Sequence, residues 1–292
     1  MGEKFNIGID LGGTKIETIV LKDQLPIFRD RIPTEAEKGP DHILSQISKI
    51  YTQALDEVGS DDFTVGVCTP GSLAPDTKLL RNSNTICLNG TALLRMIEEK
   101  LNHSVNIEND ANCFALAEGT LGAGKGHELV FGIIMGTGCG GGFVFNNQLR
   151  LGPNLISGEW GHSVLYPNGH ECYCGKRGCI ETYISGGGIE IQLKNHDINY
   201  SAKEFLNKKN KNGIEIKIFD EFMNNFGRSV ANIINSIDPD IIVLGGGLSN
   251  LENLYNDGIE EIQKYVFSES FKTPIVMNKL GDSAGVYGAA LL

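Results

Sequence analysis

The chain has 292 residues, 41% of them hydrophobic and 21% charged, with a formal net charge of −11. That length suffices for one large or two medium domains with a sizeable core, and no apolar run is long enough to cross a membrane. The acidic balance argues against nucleic acid or an anionic membrane as partner, although glycine-rich loops and a metal can still hold a small anion locally.

The first predicted element is a β-like run, Phe5–Asp10. No apolar leader or small-residue cleavage site precedes it, so the expected location is the cytosol. Residues 5–21 read apolar run, glycine turn, apolar run, and residues 129–145 repeat the pattern. The tips are Leu11-Gly12-Gly13-Thr14-Lys15 and Gly136-Thr137-Gly138-Cys139-Gly140-Gly141-Gly142, and the copies close on the polar turns Lys22-Asp23-Gln24 and Asn146-Asn147-Gln148. Each copy predicts a β-hairpin, and the pair implies two related halves. Between them the pattern predicts a helix at 41–58, a strand at 63–69 closed by Pro70-Gly71, and a helix near 91–102. A strand at 104–108 and a helix from Ala111 to about Leu121 follow. The second half carries a Gly/Cys-rich loop at 152–188 and a short helix capped by Ser201 and Glu204. A helical stretch at 215–237, a buried-type strand at 241–244 and a small apolar C-terminal helix complete it. Strands alternating with helices define an α/β fold with mostly parallel crossovers.

Glycine turns let backbone amides approach an anion, and Thr14, Lys15 and Thr137 add donors suited to phosphate oxygens. Neither turn is a Walker A loop. Gly136-x-Gly138-x-x-Gly141 matches the dinucleotide fingerprint in letters only, because a strand-like Phe143-Val144-Phe145 follows it where a helix is required. A third glycine turn, Gly245, Gly246 and Gly247, follows the strand at 241–244. Two Gly/Thr tips and this third turn together point to phosphate and nucleotide contacts rather than to plain hairpin turns. Asp10 ends a strand beside the first tip, where a carboxylate either forms a turn or holds Mg²⁺ during phosphoryl transfer. Asp110 likewise reads as an N-cap or as the base that accepts a hydroxyl proton.

Seven cysteines in a reducing compartment make a disulfide framework improbable, and Cys68, Cys87, Cys113 and Cys139 read as small core residues. The other three form Cys172-x-Cys174-x4-Cys179 in a glycine-studded loop. Three thiolates and an imidazole make a closed, structural zinc site. The fourth ligand is His162 or His170, the latter nearer in sequence.

These motifs together resemble the ROK family (repressors, open reading frames, kinases) of bacterial sugar kinases over essentially the whole chain. The resemblance rests on Asp10-Leu-Gly-Gly-Thr-Lys15, Glu108-Asn-Asp-Ala-Asn112, Gly136-Thr-Gly-Cys-Gly-Gly-Gly142, Gly158-Glu-Trp-Gly-His162 and Cys172-Tyr-Cys-Gly-Lys-Arg-Gly-Cys-Ile-Glu181. It implies an actin-like ATPase (ribonuclease H-like) fold of two domains with the active site in the cleft between them. The smaller domain would take residues 1–118 plus 281–292, and the larger, with the zinc loop, 119–280. It further implies that Asp110 is the general base and that Gly71, Asn84, Asn109, Glu159, His162 and Glu181 line the sugar. Asp10, Gly12, Gly13, Thr14, Lys15, Gly136, Thr137 and Gly138 would surround the phosphates and Mg²⁺, and Gly245, Gly246 and Gly247 the adenosine. His162, Cys172, Cys174 and Cys179 would hold structural Zn²⁺. The implied assembly is a homodimer, and the implied reaction ATP-dependent phosphorylation of a free hexose at its primary hydroxyl.

Within the family, Asn82-Ser-Asn-Thr-Ile-Cys-Leu-Asn-Gly90, Trp160 and Cys172-Tyr-Cys-Gly-Lys176 look most like fructokinases of the mannose-tolerant kind. Fructose is therefore the expected sugar, with N-acetylglucosamine and glucose as alternatives. A sugar-responsive repressor of the same family would carry a helix-turn-helix segment ahead of Asp10, and none is visible. An actin-like filament or chaperone ATPase would not account for the cysteine loop.

Overall fold

The computed structural model describes residues 3–292, which form two compact units: one runs to Ala117 and includes Asp282–Leu292, the other is Glu118–Gly281. The first contains β1 (Phe5–Leu11), β2 (Lys15–Lys22), β3 (Leu25–Pro33), α1 (Pro40–Leu55) and β4 (Phe63–Thr69). The two-residue strands β5 (Ser72–Leu73) and β6 (Leu80–Arg81), then α2 (Leu93–Leu101), β7 (Asn106–Asn109) and α3 (Asp110–Thr120), which runs on into the second unit from Glu118, follow. The second holds β8 (Leu129–Met135), β9 (Cys139–Phe145), β10 (Gln148–Leu149), α4 (Glu181–Ile184), α5 (Gly186–Lys194) and α6 (Ala202–Asn207). It continues through α7 (Gly213–Ile237), β11 (Ile241–Gly245), α8 (Asp257–Gln263) and β12 (Ile275–Met277), and α9 (Ala284–Ala290) returns to the first unit.

Both expected hairpins form, and each nucleates a sheet of the same plan. The orders are β3-β2-β1-β4-β7 and β10-β9-β8-β11-β12, with the hairpin antiparallel and the next two strands parallel to its first strand. The hairpin-closing turns are of one type, because Asp23 and Gln24 (φ 50° and 67°) and Asn146 and Asn147 (φ 51° and 59°) are all left-handed. That twist matches the strands that enter and leave.

Helix boundaries follow their caps. Ser201 and Glu204 make the expected capping box at α6, and Asn212 with Glu215 makes a second one that starts α7 earlier than periodicity alone suggests. The core of the second unit packs Phe222 and Phe226 of α7 with Phe131 and Phe205, and that of the first packs Ile7, Ile9 and Leu11 with Ile43 and Ile47 of α1. On the opposite face of the first sheet, α9 lies so close that a side chain at Gly66 would strike the Ala289 carbonyl, and one at Gly288 the Cys113 carbonyl. Only glycine permits that approach.

Sequence reading missed β3 and β12. The former is an edge strand with Pro26 and Pro33 and three charges, mostly exposed, so it carries no clean alternation. The latter has three residues.

Candidate active site

In the first unit, the Gly12–Lys15 tip is pinned from both sides. Gly12 N–H bonds the Lys15 carbonyl, Thr34 N–H the Thr14 carbonyl, and the Thr34 hydroxyl the Gly12 carbonyl at 2.6 Å. A Cβ at Gly13 would sit 3.6 Å from both Asn84 Oδ1 and Thr85 Oγ1, so the Asn84 loop lies alongside the tip. The Thr85 hydroxyl is buried with no hydrogen-bond partner among the described residues, an orphan that a ligand oxygen would satisfy. Gly71, at φ 84°, turns the chain after β4 against the backbone of Arg81 and Ser83, and Ser83 and Asn89 exchange two 2.9 Å bonds that shape the loop bearing Asn84.

Asp10 stands on β1 with Glu17 opposite on β2 and Cys68 opposite on β4. Arg29 and Arg31 hold Glu17, which is buried. Burial is the main reason the Asp10 carboxyl is pushed up to about 6. The Cys68 thiol bonds to it and opposes the rise, the charges of Asp110 and Glu17 add to it, and Lys15 opposes it.

Asn109 and Asp110 stand where β7 passes into α3. Asn109 Oδ1 accepts the Asn112 N–H at 2.7 Å, so Asn109 is the N-cap of α3 and Asp110 is its exposed first residue. Glu108, whose carboxyl is raised by burial, accepts the Asn112 side-chain amide at 2.9 Å and fixes this corner.

In the second unit, the Gly136–Cys139 tip docks on the start of α5. Gly186 N–H bonds the Gly136 carbonyl at 2.7 Å and Gly187 N–H the Thr137 carbonyl at 3.0 Å, while Ser185 caps the helix through Gly188. Glu181 accepts the Cys139 N–H at 2.8 Å, so one of its oxygens serves the tip beside Gly138. Next to this tip opens a cavity of about 330 Å³ lined by Gly136, Thr137, Gly186, Gly187, Lys203 and Gly247, among others. Of the third glycine turn, Gly247 lines the cavity. Gly245 is buried at the end of β11, and Gly246, at φ 79°, turns beneath the Met135 carbonyl. Sequence reasoning missed Gly186, Gly187, Lys203 and Asn207 of this wall, although the run Ser185-Gly-Gly-Gly188 was an available signal.

The Gly158–His162 segment is anchored by Trp160, whose indole N–H bonds the Gly140 carbonyl at 3.1 Å and whose ring is buried against Phe131. Glu159 on this segment is exposed. His162, and not His170, joins the three thiols, and the four ligand atoms lie within 4.8 Å of one another. His170 packs on Tyr183 instead. Cys174 and Cys179 sulfurs are 3.6 Å apart, as are the Cys172 sulfur and His162 Nδ1. A tetrahedron with Zn–S bonds of about 2.3 Å has edges of about 3.7 Å, so the donor set fits that ion. His162 Nε2 lies 3.0 Å from the Tyr173 hydroxyl, which orients the ring.

Two sheets of one plan, each ending in a Gly/Thr tip, define the actin-like ATPase fold. The chain matches the ROK family over residues 6–292. It is 35% identical to N-acetylgalactosamine kinase AgaK of Shewanella sp. (strain ANA-3) across 98% of this chain and 95% of that protein. It is 36% identical to N-acetyl-D-glucosamine kinase of Aliivibrio salmonicida (strain LFI1238) across 98% of both. Among solved structures, the ROK hexokinase from Thermus thermophilus superposes with a TM-score of 0.90 at 29% identity, covering 98% of this chain and 97% of that one. The chain belongs to the ROK family and is an ATP-dependent sugar kinase of it.

Proposed function

We propose that the protein transfers the γ-phosphoryl group of ATP to the primary hydroxyl of an N-acetylhexosamine, N-acetylglucosamine or N-acetylgalactosamine. The observation that carries the sugar class is the 33–36% identity, over 98% of this chain, to relatives that bear those names. The motif detail around Asn84 and Trp160 favours fructose, which is the second reading. Full-length likeness outweighs it, because sugars that differ at one substituent are separated by a few hydrogen bonds that short motifs do not specify.

In this reading Asp110 accepts the proton of the attacking hydroxyl, and its exposure supports that role, since a base must reach its substrate. Asn109, Asn84, Gly71, Glu159, His162 and Glu181 are assigned to the sugar. Asn109 and Glu181 already serve the backbone through one oxygen each, so each has its remaining polar atoms for a ligand. Gly12, Gly13, Thr14, Lys15 and Gly136, Thr137, Gly138 offer amides and hydroxyls to phosphate oxygens, and the cavity beside Gly247 suits the nucleoside. Asp10, half-buried beside two further carboxylates, is the group suited to hold Mg²⁺, which would supply charge neutralisation when bound. His162, Cys172, Cys174 and Cys179 are assigned to structural Zn²⁺. The two compact units are read as the two actin-like domains, and a cytoplasmic homodimer completes the proposal. Among the described residues no helix is long and apolar enough to cross a membrane.

The test is ADP release with ATP, Mg²⁺ and a panel of N-acetylglucosamine, N-acetylgalactosamine, N-acetylmannosamine, fructose, mannose and glucose. The proposal expects an N-acetylhexosamine to have the highest kcat/KM. A tenfold preference for fructose would replace it with the second reading.

A further inference from the structure

Cys139 closes the second glycine turn, and its N–H bonds the Glu181 carboxylate at 2.8 Å. The acceptor belongs to a rigid corner. Glu181 opens α4 between buried Ile180 and buried Tyr183 and Ile184, and its own carbonyl takes the Ser185 N–H at 3.1 Å. A Cβ on Gly138 would lie 2.7 Å from Glu181 Oε2, so the carboxylate rests directly on the turn. A negative charge in that place opposes a phosphate. Its presence there calls for a reason that a sugar contact alone does not supply.

The peptide planes of the turn give one. A trans peptide is planar, with its C=O and the following N–H on opposite sides. The Gly136 carbonyl accepts the Gly186 N–H and the Thr137 carbonyl the Gly187 N–H, so the Thr137 and Gly138 amides point away from the start of α5. Neither amide donates to another backbone group among the described residues. The third plane joins Gly138 and Cys139. Its carbonyl accepts the Gly136 N–H at 2.9 Å and its N–H is taken by Glu181, so it is held at both ends. Gly138 has no Cβ to restrict that plane by sterics, and without the acceptor the plane is free to turn. A carboxylate is the acceptor of choice, because charge-assisted hydrogen bonds are about twice as strong as neutral ones.

We propose that Glu181 is a positioning residue for the Gly136–Cys139 turn: its carboxylate locks the Gly138–Cys139 plane, presents the Thr137 and Gly138 amides to a nucleotide phosphate, and so sets nucleotide affinity independently of the sugar. The inference rests on the assignment of this turn to the phosphates of ATP.

The experiment measures binding of the Mg²⁺ complex of the β,γ-imido analogue of ATP by calorimetry with no sugar present, and exchange of the Cys139 amide by NMR. The variants are Glu181→Gln, Glu181→Ala, Gly138→Ala and the double variant with alanine at both positions. Glutamine and alanine both lack the charge, so the difference between them reports the acceptor alone. Glu181→Ala is expected to bind the analogue about tenfold more weakly than Glu181→Gln, the worth of one hydrogen bond, and to exchange the Cys139 amide about tenfold faster. Gly138→Ala, whose methyl displaces an intact carboxylate, should weaken binding by a similar factor, and by less than about twofold further when Glu181 is already alanine. Equal affinity and equal Cys139 exchange in Glu181→Gln and Glu181→Ala, or full additivity in the double variant, overturn the proposal, and Glu181 then acts on the sugar alone. Should Glu181→Ala not fold, Gly138→Ala against wild type decides, and unchanged nucleotide affinity there overturns the proposal. Faster Cys139 exchange with unchanged nucleotide affinity would instead take the phosphates away from this turn, overturning the assignment beneath the inference and the inference with it.

Discussion

The carboxylate of Glu118 accepts the backbone N–H of Leu280 at 2.7 Å, and it does so with no solvent exposure. The same carboxylate takes the N–H of Lys279 and that of Ala123 at 2.8 Å. Glu118 and Gly281 are the first and last residues of the second unit, so one side chain ties its two ends together. Glu118→Ala would leave three backbone donors without that acceptor in a buried place, and the expected loss is about 3–5 kcal/mol. Glu118→Gln keeps one acceptor oxygen and should lose roughly half as much. Urea unfolding of both variants checks the order.

Asp10 gives a pH signature with a definite sign. Its carboxyl is raised from 3.8 to about 6, mainly by burial, so the folded protein binds a proton more tightly than the unfolded chain. The associated stability is fully present below pH 3.8 and is lost as pH rises through 6. In metal-free protein at pH 7.5, Asp10→Asn should therefore be more stable than wild type by at most about 3 kcal/mol, with the gap closing toward pH 4. Thermal melts across pH test this, and a variant less stable than wild type at pH 7.5 would contradict it.

Asp110→Asn should lower kcat by about 10²–10⁴-fold through loss of the base. Asn109 caps α3, and Asp110 Oδ1 accepts the Ala111 N–H at 2.9 Å, an acceptor that asparagine retains, so stability should change by less than about 1 kcal/mol. Single-turnover kinetics with a parallel melt separates the two effects.

Metal removal should act on folding before chemistry. The purified protein is expected to hold one zinc per chain, and Cys174→Ser or Cys179→Ser should abolish it. Structural zinc sites in peptides are worth about 10–16 kcal/mol, so chelation should lower the melting temperature and expose the 158–181 segment to protease. Full stability with no bound metal would refute the site.

Gly247 has no atom within 4 Å of where its Cβ would point, although it lines the nucleotide-sized cavity. Gly247→Leu should raise the KM for ATP at least tenfold, roughly 1.4 kcal/mol or more of lost binding, with little change in melting temperature. An unchanged KM would move the nucleoside elsewhere.

What the sequence disclosed follows from where the information is local. The two hairpins were legible because apolar alternation and Gly/Thr tips lie within 17 residues of each other, and the thiol cluster because three of its ligands share one loop. Spacing alone left His162 and His170 open and the family resemblance chose His162, whose segment is held by the Trp160 bond to Gly140. Lys203 and Asn207 reach the cavity only because α6 folds back beside the Gly136 tip, a return that no periodicity records. The sugar was least legible of all, for its discrimination rests on a few polar atoms.

The fit of α9 against Gly66 and Gly8 bears on how the chain is made. A ribosome delivers β1 and β4 first and α9 only after the whole of Glu118–Gly281 has emerged. The first unit therefore lacks the helix that covers one side of its sheet until the second has been synthesised. Until that helix arrives, the groove over Gly8 and Gly66 stays uncovered, so the first unit depends for its last layer on a segment made after the whole of the second.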